Sequence, residues 1–287
     1  MKYAWIKSNR HKYQVTRMCF LLSVSRSGFT QWVNRGASDR QCANESLDAK
    51  VYALHSMQQQ GAGRPRIVKA LHNAGVVVGH ERVRQSLLRQ QLRTVHKRAF
   101  KVTTDSDHDY KVAPNHLDRR FKGWPPNRAW VGDITYIQTG EGWLYLAVVV
   151  DLCSRKVVGW SMSSRITQEL VMDALTSAYG QRRPEQGLIM HTDRGSQYAS
   201  KAYRKLLAKY GMTASMSRRA NCWDNSVAES FFKTLKVEQI YRNHYHTRDQ
   251  AKLDIVNWIE GFYNTNRWHS TNDNKAPNQL ERELMAA

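Results

Sequence analysis

The sequence predicts an α/β domain, with a mixed five-stranded sheet flanked by helices, preceded by an all-α region. Up to about residue 96, the apolar residues recur at helical spacing between short turns. From Ala129 onward, segments rich in aromatic and β-branched residues alternate with helical segments. This change from helical spacing of the apolar residues to alternating strand and helix patterns is typical of helical units that precede a sheet with helices packed on it.

Positive charge is concentrated in the predicted all-α region. The 287 residues carry a formal net charge of +20. Residues 1–126 contain 23 Lys and Arg against 8 Asp and Glu, a net charge of +15, and residues 127–287 contain 21 against 16, a net charge of +5. The excess indicates a polyanionic partner, either nucleic acid or an acidic membrane surface, and its distribution suggests nucleic-acid binding by the N-terminal region.

Hydrophobicity and cysteine usage argue against two other classes of protein. One is membrane or secreted proteins, and the other is proteins stabilised by disulfides or by a cysteine zinc site. The longest apolar run, Trp143–Val150, is far shorter than the roughly 20 residues that span a membrane. The N-terminus lacks the apolar stretch of a secretory signal. The four cysteines are scattered without a CxxC pair, which disfavours a disulfide framework or a cysteine zinc site and favours a reducing cytoplasm.

The first predicted feature is a pair of short helices across a tight turn. Apolar residues at helical spacing predict a helix over Val15–Leu22, a turn at Ser23, and a second helix over Arg26–Asn34 with Phe29 and Trp32 inward. This is the plan of a helix-turn-helix, whose second helix enters the major groove of DNA. An ordinary helical hairpin remains the alternative, because such turns usually prefer Gly.

Three further helices are predicted to form a second helical unit. Ser46 can cap a helix over Leu47–Met57, and helices over Arg66–Asn73 and Glu81–Gln90 follow after glycine-containing turns. The last helix carries arginines that either contact DNA phosphates and base edges or form a solvated basic face. These arginines are Arg82, Arg84 and Arg89.

Five strands and three helices are predicted in the C-terminal region. The strands are predicted over residues 130–137, 143–151, 156–162, 187–191 and 212–217, and the helices over residues 167–179, 200–210 and 226–240. Tight turns, such as the one at Gly140-Glu141-Gly142, join the first three strands as hairpins. The later strands alternate with helices and complete the mixed sheet.

Three carboxylates occupy unusual places in this pattern. Asp133 stands in the middle of an apolar strand, where an unpaired carboxylate is costly. Asp193 follows the fourth predicted strand, and Glu229 lies early in the last predicted helix. If they converge, they repel one another, and divalent cations such as Mg²⁺ remove that repulsion. A pair of cations about 4 Å apart can also activate an oxygen for attack on phosphorus.

Each acid also has a structural interpretation, and the residues alone leave both open. Asp193 could cap a turn, and Glu229 could favour the dipole of its helix. Asp151 also ends a buried strand and competes with Asp133. Glu229 shares a helix face with two lysines, nearly opposite an apolar stripe, so the helix can dock on the sheet and leave Glu229 at the edge of a cleft.

Two neighbouring residues are interpreted as structural. His191 is expected to be a strand residue near the acids and not a ligand. Trp223 is expected to pack against the protein, with insertion at DNA as the alternative.

The motifs around the three acids resemble those of a known family. They read WVGDITYI around Asp133, HTDRGSQYAS around Asp193 and RRANCWDNSVAESFFKTLK around Glu229. They resemble the DDE motifs of the IS3 family of bacterial insertion-sequence transposases, in particular its second-reading-frame product. The 35 residues between Asp193 and Glu229 (229 − 193 − 1) match the D,D(35)E spacing, and Tyr263–Thr271 resembles the family's YN-x-x-R-x-H-S segment.

The resemblance implies an RNase-H-like core, similar to that of retroviral integrases, in a DNA transposase of polynucleotidyl transferase type. Asp133, Asp193 and Glu229 would be the catalytic acids and would bind a pair of Mg²⁺ ions, for which Mn²⁺ can substitute. Water would first cut the element end to free a 3′-OH. That 3′-OH would then attack a phosphodiester without a covalent protein intermediate, along a copy-out, paste-in route through a circular element.

The resemblance also implies partners. These are double-stranded DNA, both element ends and target, further copies of the chain on that DNA, and the upstream-frame product. The chain has no sustained heptads of its own, and the family's complete transposase is usually a frameshift fusion. No membrane partner is expected, and the expected location is the bacterial cytoplasm, at the nucleoid.

Lys236, seven residues after Glu229, matches the family's basic residue on this helix. The residues expected to bind DNA are Lys236, Lys233, Arg194, Arg82, Arg84, Arg89 and Arg26.

The predicted organisation has five segments. They are a helix-turn-helix-like DNA-binding unit (1–44), a second helical DNA-binding unit (45–96), a linker (97–126), the RNase-H-like catalytic core (127–262) and a C-terminal tail (263–287). Two rival functions remain. One is an RNase-H-like nuclease without strand transfer, and the other is a DNA-binding regulator whose core no longer catalyses.

Overall fold

The computed structural model describes residues 1–36, 38–95, 112–219 and 221–286 of the chain. The chain divides into two compact units, Met1–Lys50 and Val51–Ala287. Most of the predicted linker lies outside the described residues. Among the helices of the described part, none combines the length and the apolar character needed to cross a membrane.

Three short helices form the first unit: α1 (Lys2–Asn9), α2 (Val15–Leu21) and α3 (Arg26–Asn34). The predicted pair α2 and α3 is confirmed, whereas α1 is not predicted because it has little apolar periodicity and buries a single residue. The three helices meet at one small cluster, which cannot enclose much apolar surface. Its buried members are Ile6, Met18, Cys19 and Phe29.

The turn between α2 and α3 shows why glycine is preferred there. Ser23 takes the left-handed φ of +51° that glycine adopts at less cost. Ser25 then caps α3, since its Oγ accepts the N–H of Gly28 at 2.9 Å. The predicted inward position of Trp32 is wrong. Its side chain is 39% exposed and contacts the ring of Tyr3 and the ammonium group of Lys7.

The helix α4 (Asp39–Met57) crosses the division between the two units and begins earlier than predicted. The start predicted at Ser46 is wrong, because no Gly or Pro interrupts the residues before it. Ser38 provides the side-chain acceptor instead, since its Oγ lies 3.3 Å from the N–H of Gln41. The predicted end at Met57 is confirmed.

Two helices from the predicted second helical unit lie in the same compact unit as the sheet. They are α5 (Arg64–Asn73) and α6 (His80–Arg89), both within two residues of their predicted bounds. Pro65 in the first turn starts α5 slightly early, and Gly75, with a φ of +76°, follows its end. Their buried side chains are Ile67, Val68, Leu71, Val83 and Ser86.

A five-stranded mixed sheet forms the centre of the second unit, as predicted. Its strands are β1 (Ala129–Thr139), β2 (Gly142–Asp151), β3 (Val157–Ser163), β4 (Ile189–Thr192) and β5 (Thr213–Met216). They lie in the order β3-β2-β1-β4-β5. Pairing is antiparallel between β1, β2 and β3, and parallel from β1 to β4 and from β4 to β5.

Helices cover both faces of the sheet. One face carries α7 (Gln168–Arg182), α8 (Ser196–Ala199) and α9 (Lys201–Lys209), and the other carries α10 (Ser226–Glu238) and α11 (Arg248–Val256). Because side chains alternate along β1 and β2, the core has one apolar layer on each face. The first layer includes Trp130, Ala147 and Val149, and the second includes Val131, Val148 and Phe231.

The region after α11 packs on the core. A π-helical segment, Asn257–Tyr263, continues α11, and α12 (Pro277–Ala286) follows. Glu281 of α12 is buried, and its carboxylate accepts two hydrogen bonds from Arg182 of α7, at 2.9 and 2.7 Å. Ser154 donates a third hydrogen bond to it at 2.8 Å. The predicted tail therefore contributes a buried ion pair to the core.

Glu281→Ala should lower the free energy of unfolding by about 3 kcal/mol, because it removes the principal partner of the largely buried Arg182 side chain. Urea denaturation measures the change. Glu283→Ala on the same helix is the control. It removes an exposed pair with Lys275 and should leave the urea midpoint unchanged. Equal midpoints for the two variants would contradict the role given to Glu281.

Candidate active site

Parallel pairing of β1 with β4 sets two carboxylates side by side. Val131 of β1 is in register with His191 of β4. Two residues further along lie Asp133, within β1, and Asp193, just after the end of β4, and the charge of Asp193 acts on Asp133. Asp133 shares the face of Val131, which α10 covers, and both aspartates are half-buried.

Backbone N–H groups hold one oxygen of each aspartate. The N–H of Ile134 donates to Oδ1 of Asp133 at 2.8 Å, and the N–H of Gly195 donates to Oδ1 of Asp193 at 2.9 Å. A Cβ at position 195 would lie 3.1 Å from the same oxygen of Asp193. Glycine at this position therefore lets the loop after β4 close tightly on the carboxylate.

The beginning of α10 is tied to β1 beside Asp133. The side-chain amide of Asn225, immediately before α10, donates to the carbonyl oxygen of Gly132 at 3.1 Å. Gly132 also allows close approach of β4, since a Cβ there would lie 2.6 Å from the methyl carbon of Met190. The strand that carries Asp133 and the helix that carries Glu229 are thus joined one residue from Asp133.

A buried carboxylate fixes the loop that precedes α10. Asp224 is fully buried and accepts hydrogen bonds from the Arg218 guanidinium at 2.9 and 2.8 Å and from Nε of Arg119 at 2.8 Å. Asn115 donates a further bond at 3.0 Å. The hydrogen bonds from Arg218 are the main reason that the pKa of Asp224 lies well below its ordinary value. Asp224 therefore stays ionised and holds the loop in one conformation.

The three predicted acids are electrostatically coupled. Burial raises the pKa of Asp133 well above its ordinary value, and the charges of Asp193 and Glu229 raise it further. Burial, and then Asp193, raise the pKa of Glu229. Glu229 lies in the first turn of α10 and is half-buried. The fold therefore brings the three carboxylates close enough for their charges to repel one another. This convergence is one of the two interpretations that the sequence leaves open.

The three carboxylates do not form a closed chelate as they stand. Within the described residues, no group of three or more His, Cys, Asp or Glu side chains is arranged to hold a metal ion. Asp193 acts on Asp133 more strongly than Glu229 does, so the two aspartates form the tighter pair. Glu229 approaches this pair from a separate helix.

Lys236 lies on the same helix as Glu229 and is buried, with 7% of its side chain exposed. Its Nζ lies 4.6 Å from the ring centroid of Tyr136 on β1, a cation–π contact. Burial lowers its pKa, and the charge of Asp133 opposes this change. The lysine thus supplies positive charge to the acids, and its predicted contact with DNA phosphate stays a prediction.

The other residues predicted to bind DNA lie in several parts of the chain. Arg26 is exposed at the start of α3, and the three arginines of α6 are exposed, one of them, Arg84, paired with Glu81 at 3.2 Å. Lys233 is half-buried on α10. Arg194, also half-buried, donates to the carbonyl oxygen of Ser217 at 2.6 Å. Their contacts with DNA stay predictions.

Asp151, the rival of Asp133, has a structural role. It is fully buried at the end of β2, opposite Trp130, and so lies on the other face of the sheet from Asp133. The N–H groups of Asn127 and Cys153 each donate to it at 2.8 Å, and Arg182 lies 3.6 Å away. A carboxylate satisfied in this way has no open side for a metal or for DNA.

His191 is a buried strand residue, in the position that the sequence indicates. Its ring nitrogens lie 2.8 Å from Oγ of Ser215 and 3.3 Å from Oγ of Ser217. Burial lowers its pKa to about 4, so the imidazole is neutral near pH 7.

Sequence reasoning missed one residue beside the aspartates. Tyr198 of α8 is buried, and its pKa is raised by burial, by Tyr203 and by the charges of Asp133 and Asp193. Its phenol is therefore protonated next to both carboxylates. The only signal was its position five residues after Asp193 in an otherwise polar loop.

The interpretation of Trp223 as a packing residue is wrong. Its side chain is 70% exposed. It lies in the short 3₁₀ helix Cys222–Asn225, between the anchored Asp224 and the start of α10. Since its neighbour Asp224 turns inward to the arginines, Trp223 is directed outward, near the helix that carries Glu229.

Two stretches of the chain match a known protein family. Residues 125–222 and 210–277 each match the family described as "Integrase core domain". Two solved structures are similar at low identity. The simian T-cell lymphotropic virus intasome with PP2A regulatory subunit B56 gamma has a TM-score of 0.47, 19% identity, and coverage of 80% of this chain and 73% of that chain. The HTLV-2 integrase catalytic core domain in complex with magnesium (dimeric form) has a TM-score of 0.42, 20% identity, and coverage of 55% and 99%.

Curated relatives match over the whole chain. "Transposase InsF for insertion sequence IS3A" of Escherichia coli (strain K12) is 40% identical over 288 residues, 100% of both chains. "Insertion element IS600 uncharacterized 31 kDa protein" of Shigella sonnei is 41% identical over 260 residues, 91% of this chain and 96% of that protein. The chain belongs to the IS3 family of insertion-sequence transposases, enzymes of DNA transposition with an integrase catalytic core.

Proposed function

We propose that Asp133, Asp193 and Glu229 are the catalytic acids of this transposase and that they bind divalent cations, Mg²⁺ in the first place. The observation that carries the proposal is a cluster of three half-buried carboxylates, in which burial first, and then the charges of the neighbouring acids, raise the pKa values of Asp133 and Glu229. Such a cluster gains stability from a hard cation with oxygen ligands.

The donor set fits this group of metals. It consists of carboxylate oxygens, which Mg²⁺ and Mn²⁺ prefer, while the nearby imidazole of His191 is occupied by two serine hydroxyls. The two aspartates would form the fixed part of the site, because backbone N–H groups orient both carboxylates. Glu229 would complete the ligand set from α10.

A pair of bound cations would supply activation of the attacking oxygen and stabilisation of the leaving oxygen at phosphorus. The chain itself orients the ligands, excludes water from one side of them through the apolar layer beneath α10, and places the Lys236 charge beside Asp133. These functions require β1, the loop after β4 and α10 to keep their positions relative to one another.

The proposed reaction has two steps at phosphorus. In the first, water displaces the 3′ oxygen of a phosphodiester at the element end, which leaves a 3′-OH and a 5′-phosphate. In the second, that 3′-OH displaces the 3′ oxygen of another phosphodiester, so one phosphorus–oxygen bond forms as one breaks. Neither step needs a covalent protein intermediate, and the family's copy-out, paste-in route through a circular element uses this chemistry.

The proposed partners follow from this reaction and from the charge distribution. Element ends and target DNA are the substrates, and the basic N-terminal region, with Arg26 and the α6 arginines, is proposed to hold DNA. Further copies of the chain and the upstream-frame product are proposed to assemble on that DNA. The proposed place of action is the nucleoid in the bacterial cytoplasm.

Labelled element ends incubated with Mg²⁺ or Mn²⁺, with the upstream-frame product supplied, test the proposal. We expect cleaved and joined products from the native chain, and neither from Asp133→Asn, Asp193→Asn or Glu229→Gln, although the variants still bind DNA. Asp173→Asn is the matched control. It changes an exposed aspartate of α7, the helix on the opposite face of the sheet from α10, and should keep both activities.

The rival functions give different outcomes in the same experiment. Cleavage without joining would favour a nuclease, and binding without cleavage would favour a regulator. Joining by the Asp133→Asn variant would contradict the site assignment.

Asp133→Asn should raise the melting temperature near neutral pH in EDTA. The folded-state pKa of Asp133 is raised, so ionisation costs more in the folded than in the unfolded chain. This cost is absent below the ordinary pKa of 3.8 and grows as pH rises toward the folded value. The gain should therefore vanish at about pH 4. Thermal unfolding at both pH values measures it.

Added Mg²⁺ should raise the melting temperature of the native chain and not that of Asp133→Asn. An Asn variant less stable than the native chain near neutral pH would contradict the electrostatic account.

Trp223→Ala should weaken binding of single-stranded or frayed element ends by about 1–3 kcal/mol, the usual contribution of a base stacked on an aromatic ring. Fluorescence anisotropy measures the affinity. Trp223→Phe should restore most of it. Trp143→Ala, which removes another partly exposed tryptophan, at the start of β2, is the control and should bind as the native chain does. Equal affinities for the two Ala variants would assign Trp223 no DNA contact.

A further inference from the structure

A cavity of about 460 Å³ lies on the flank of α10 away from Glu229. Ser226, Ser230 and Thr234 of α10 line it, whereas Glu229 is directed to another side of the helix, as the helical repeat requires. The other walls come from the segment Tyr263–Thr271 and from Arg66 and Arg155. All of these residues belong to the second unit.

The cavity has an excess of positive charge. Three arginines line it, Arg66, Arg155 and Arg267, against one carboxylate, Glu238. Glu238 is fully engaged, because Arg267 donates two hydrogen bonds to it, both at 2.7 Å. In the described part of the chain, no carboxylate forms a salt bridge with Arg66 or Arg155. Asp151, whose charge also acts on Arg155, is held by Arg182 and two backbone N–H groups.

Arg155 lines this cavity and has one unused donor. Its side chain is buried, with 7% exposed. One end of the guanidinium is fixed, because Nη2 donates to the carbonyl oxygen of Phe121 at 2.5 Å. The other nitrogen, Nη1, is buried and has no hydrogen-bond partner among the described residues. A buried charged donor without an acceptor is unfavourable, and an anion bound against Arg155 would offset the guanidinium charge.

The neighbouring groups are also suited to an anion. Hydroxyl groups of Ser226, Ser230 and Thr271 line the same cavity and can donate hydrogen bonds. His269, a further lining residue, has a pKa held well below its ordinary value, first by burial and then by Arg267 and the other two arginines. Burial and the three arginine charges thus keep this imidazole neutral near pH 7.

We propose that this cavity binds a phosphate group, with Arg155 and Arg66 as the principal ligands. A planar guanidinium with fixed orientation pairs well with phosphate oxygens. The phosphate belongs either to a DNA strand that passes behind α10 or to a small free anion. The site is separate from the three acids and does not rest on their assignment.

Inorganic phosphate is the first probe. Thermal unfolding is measured in EDTA with phosphate or with chloride at equal ionic strength. At about five times the dissociation constant, phosphate should raise the melting temperature of the native chain by about 2–4 °C. Arg155→Gln should lose this rise. Ser230→Glu, which introduces a carboxylate into the cavity without removing the Phe121 contact, should lose it as well.

Arg128→Gln is the matched control. It removes one arginine charge from an exposed pair with Glu185 and should keep the full rise. A native chain that phosphate does not stabilise, or an equal rise in all four proteins, would overturn the proposal.

Duplex DNA is the second probe, and it distinguishes the two sources of phosphate. Anisotropy titrations in EDTA at several salt concentrations give the slope of log affinity against log salt. If a DNA phosphate occupies the cavity, Ser230→Glu and Arg155→Gln should each reduce the slope by about one. An unchanged slope with a lost phosphate effect would assign the cavity to a free anion. Because EDTA removes metal, a failure of the proposed catalytic site would leave both measurements unaffected.

Discussion

The repulsion between two aspartates that the sheet brings close together is the constraint on which the rest of the second unit depends. The parallel pairing of β1 with β4 ends at Val131 and His191, and both chains continue in the same direction to Asp133 and Asp193, whose charges then act on each other. The surrounding contacts hold that unfavourable arrangement in place. Backbone N–H groups orient both carboxylates, Asn225 ties α10 to β1, and Asp224 fixes the loop before α10.

The two sides of α10 have opposite electrostatic character. On one side, carboxylates crowd together and resist ionisation, and on the other, arginines crowd together around one glutamate. The excess of positive charge in the whole sequence is therefore not spread evenly around α10. The core keeps a negative region, suited to cations, next to a positive region, suited to phosphate, with one helix between them.

Much of the fold and of the site could be predicted from sequence, because strong local patterns carry them. Asp133 stands out since a carboxylate interrupts an apolar strand, and the strand bounds follow from β-branched runs and glycine turns. The solvent exposure of tryptophans could not be predicted. Trp32 and Trp223 are exposed because of how the neighbouring residues pack. The hydrophobicity of a tryptophan, which is all that the sequence gives, is the same at a buried and at an exposed position.

Polar contacts between residues far apart in the chain could not be predicted from the sequence either. Nothing local distinguishes Glu281 from the exposed Glu283 two residues later, although one is buried against Arg182 and the other is not. The same holds for Tyr198 beside the aspartates and for Arg155 above the cavity. Their roles depend on residues far away in the chain, which periodicity does not connect.

The contact between Glu281 and Arg182 has a consequence for the order in which the protein is made. A chain synthesised from its N-terminus completes the sheet and all three acids well before residue 281 exists. At about 5–20 residues per second, α7 waits several seconds for its buried partner. In that interval, Arg182 has Asp151 and Asn127 as partners but lacks Glu281. The nascent transposase therefore contains its three acids before the ion pair that anchors α12 to the core can form.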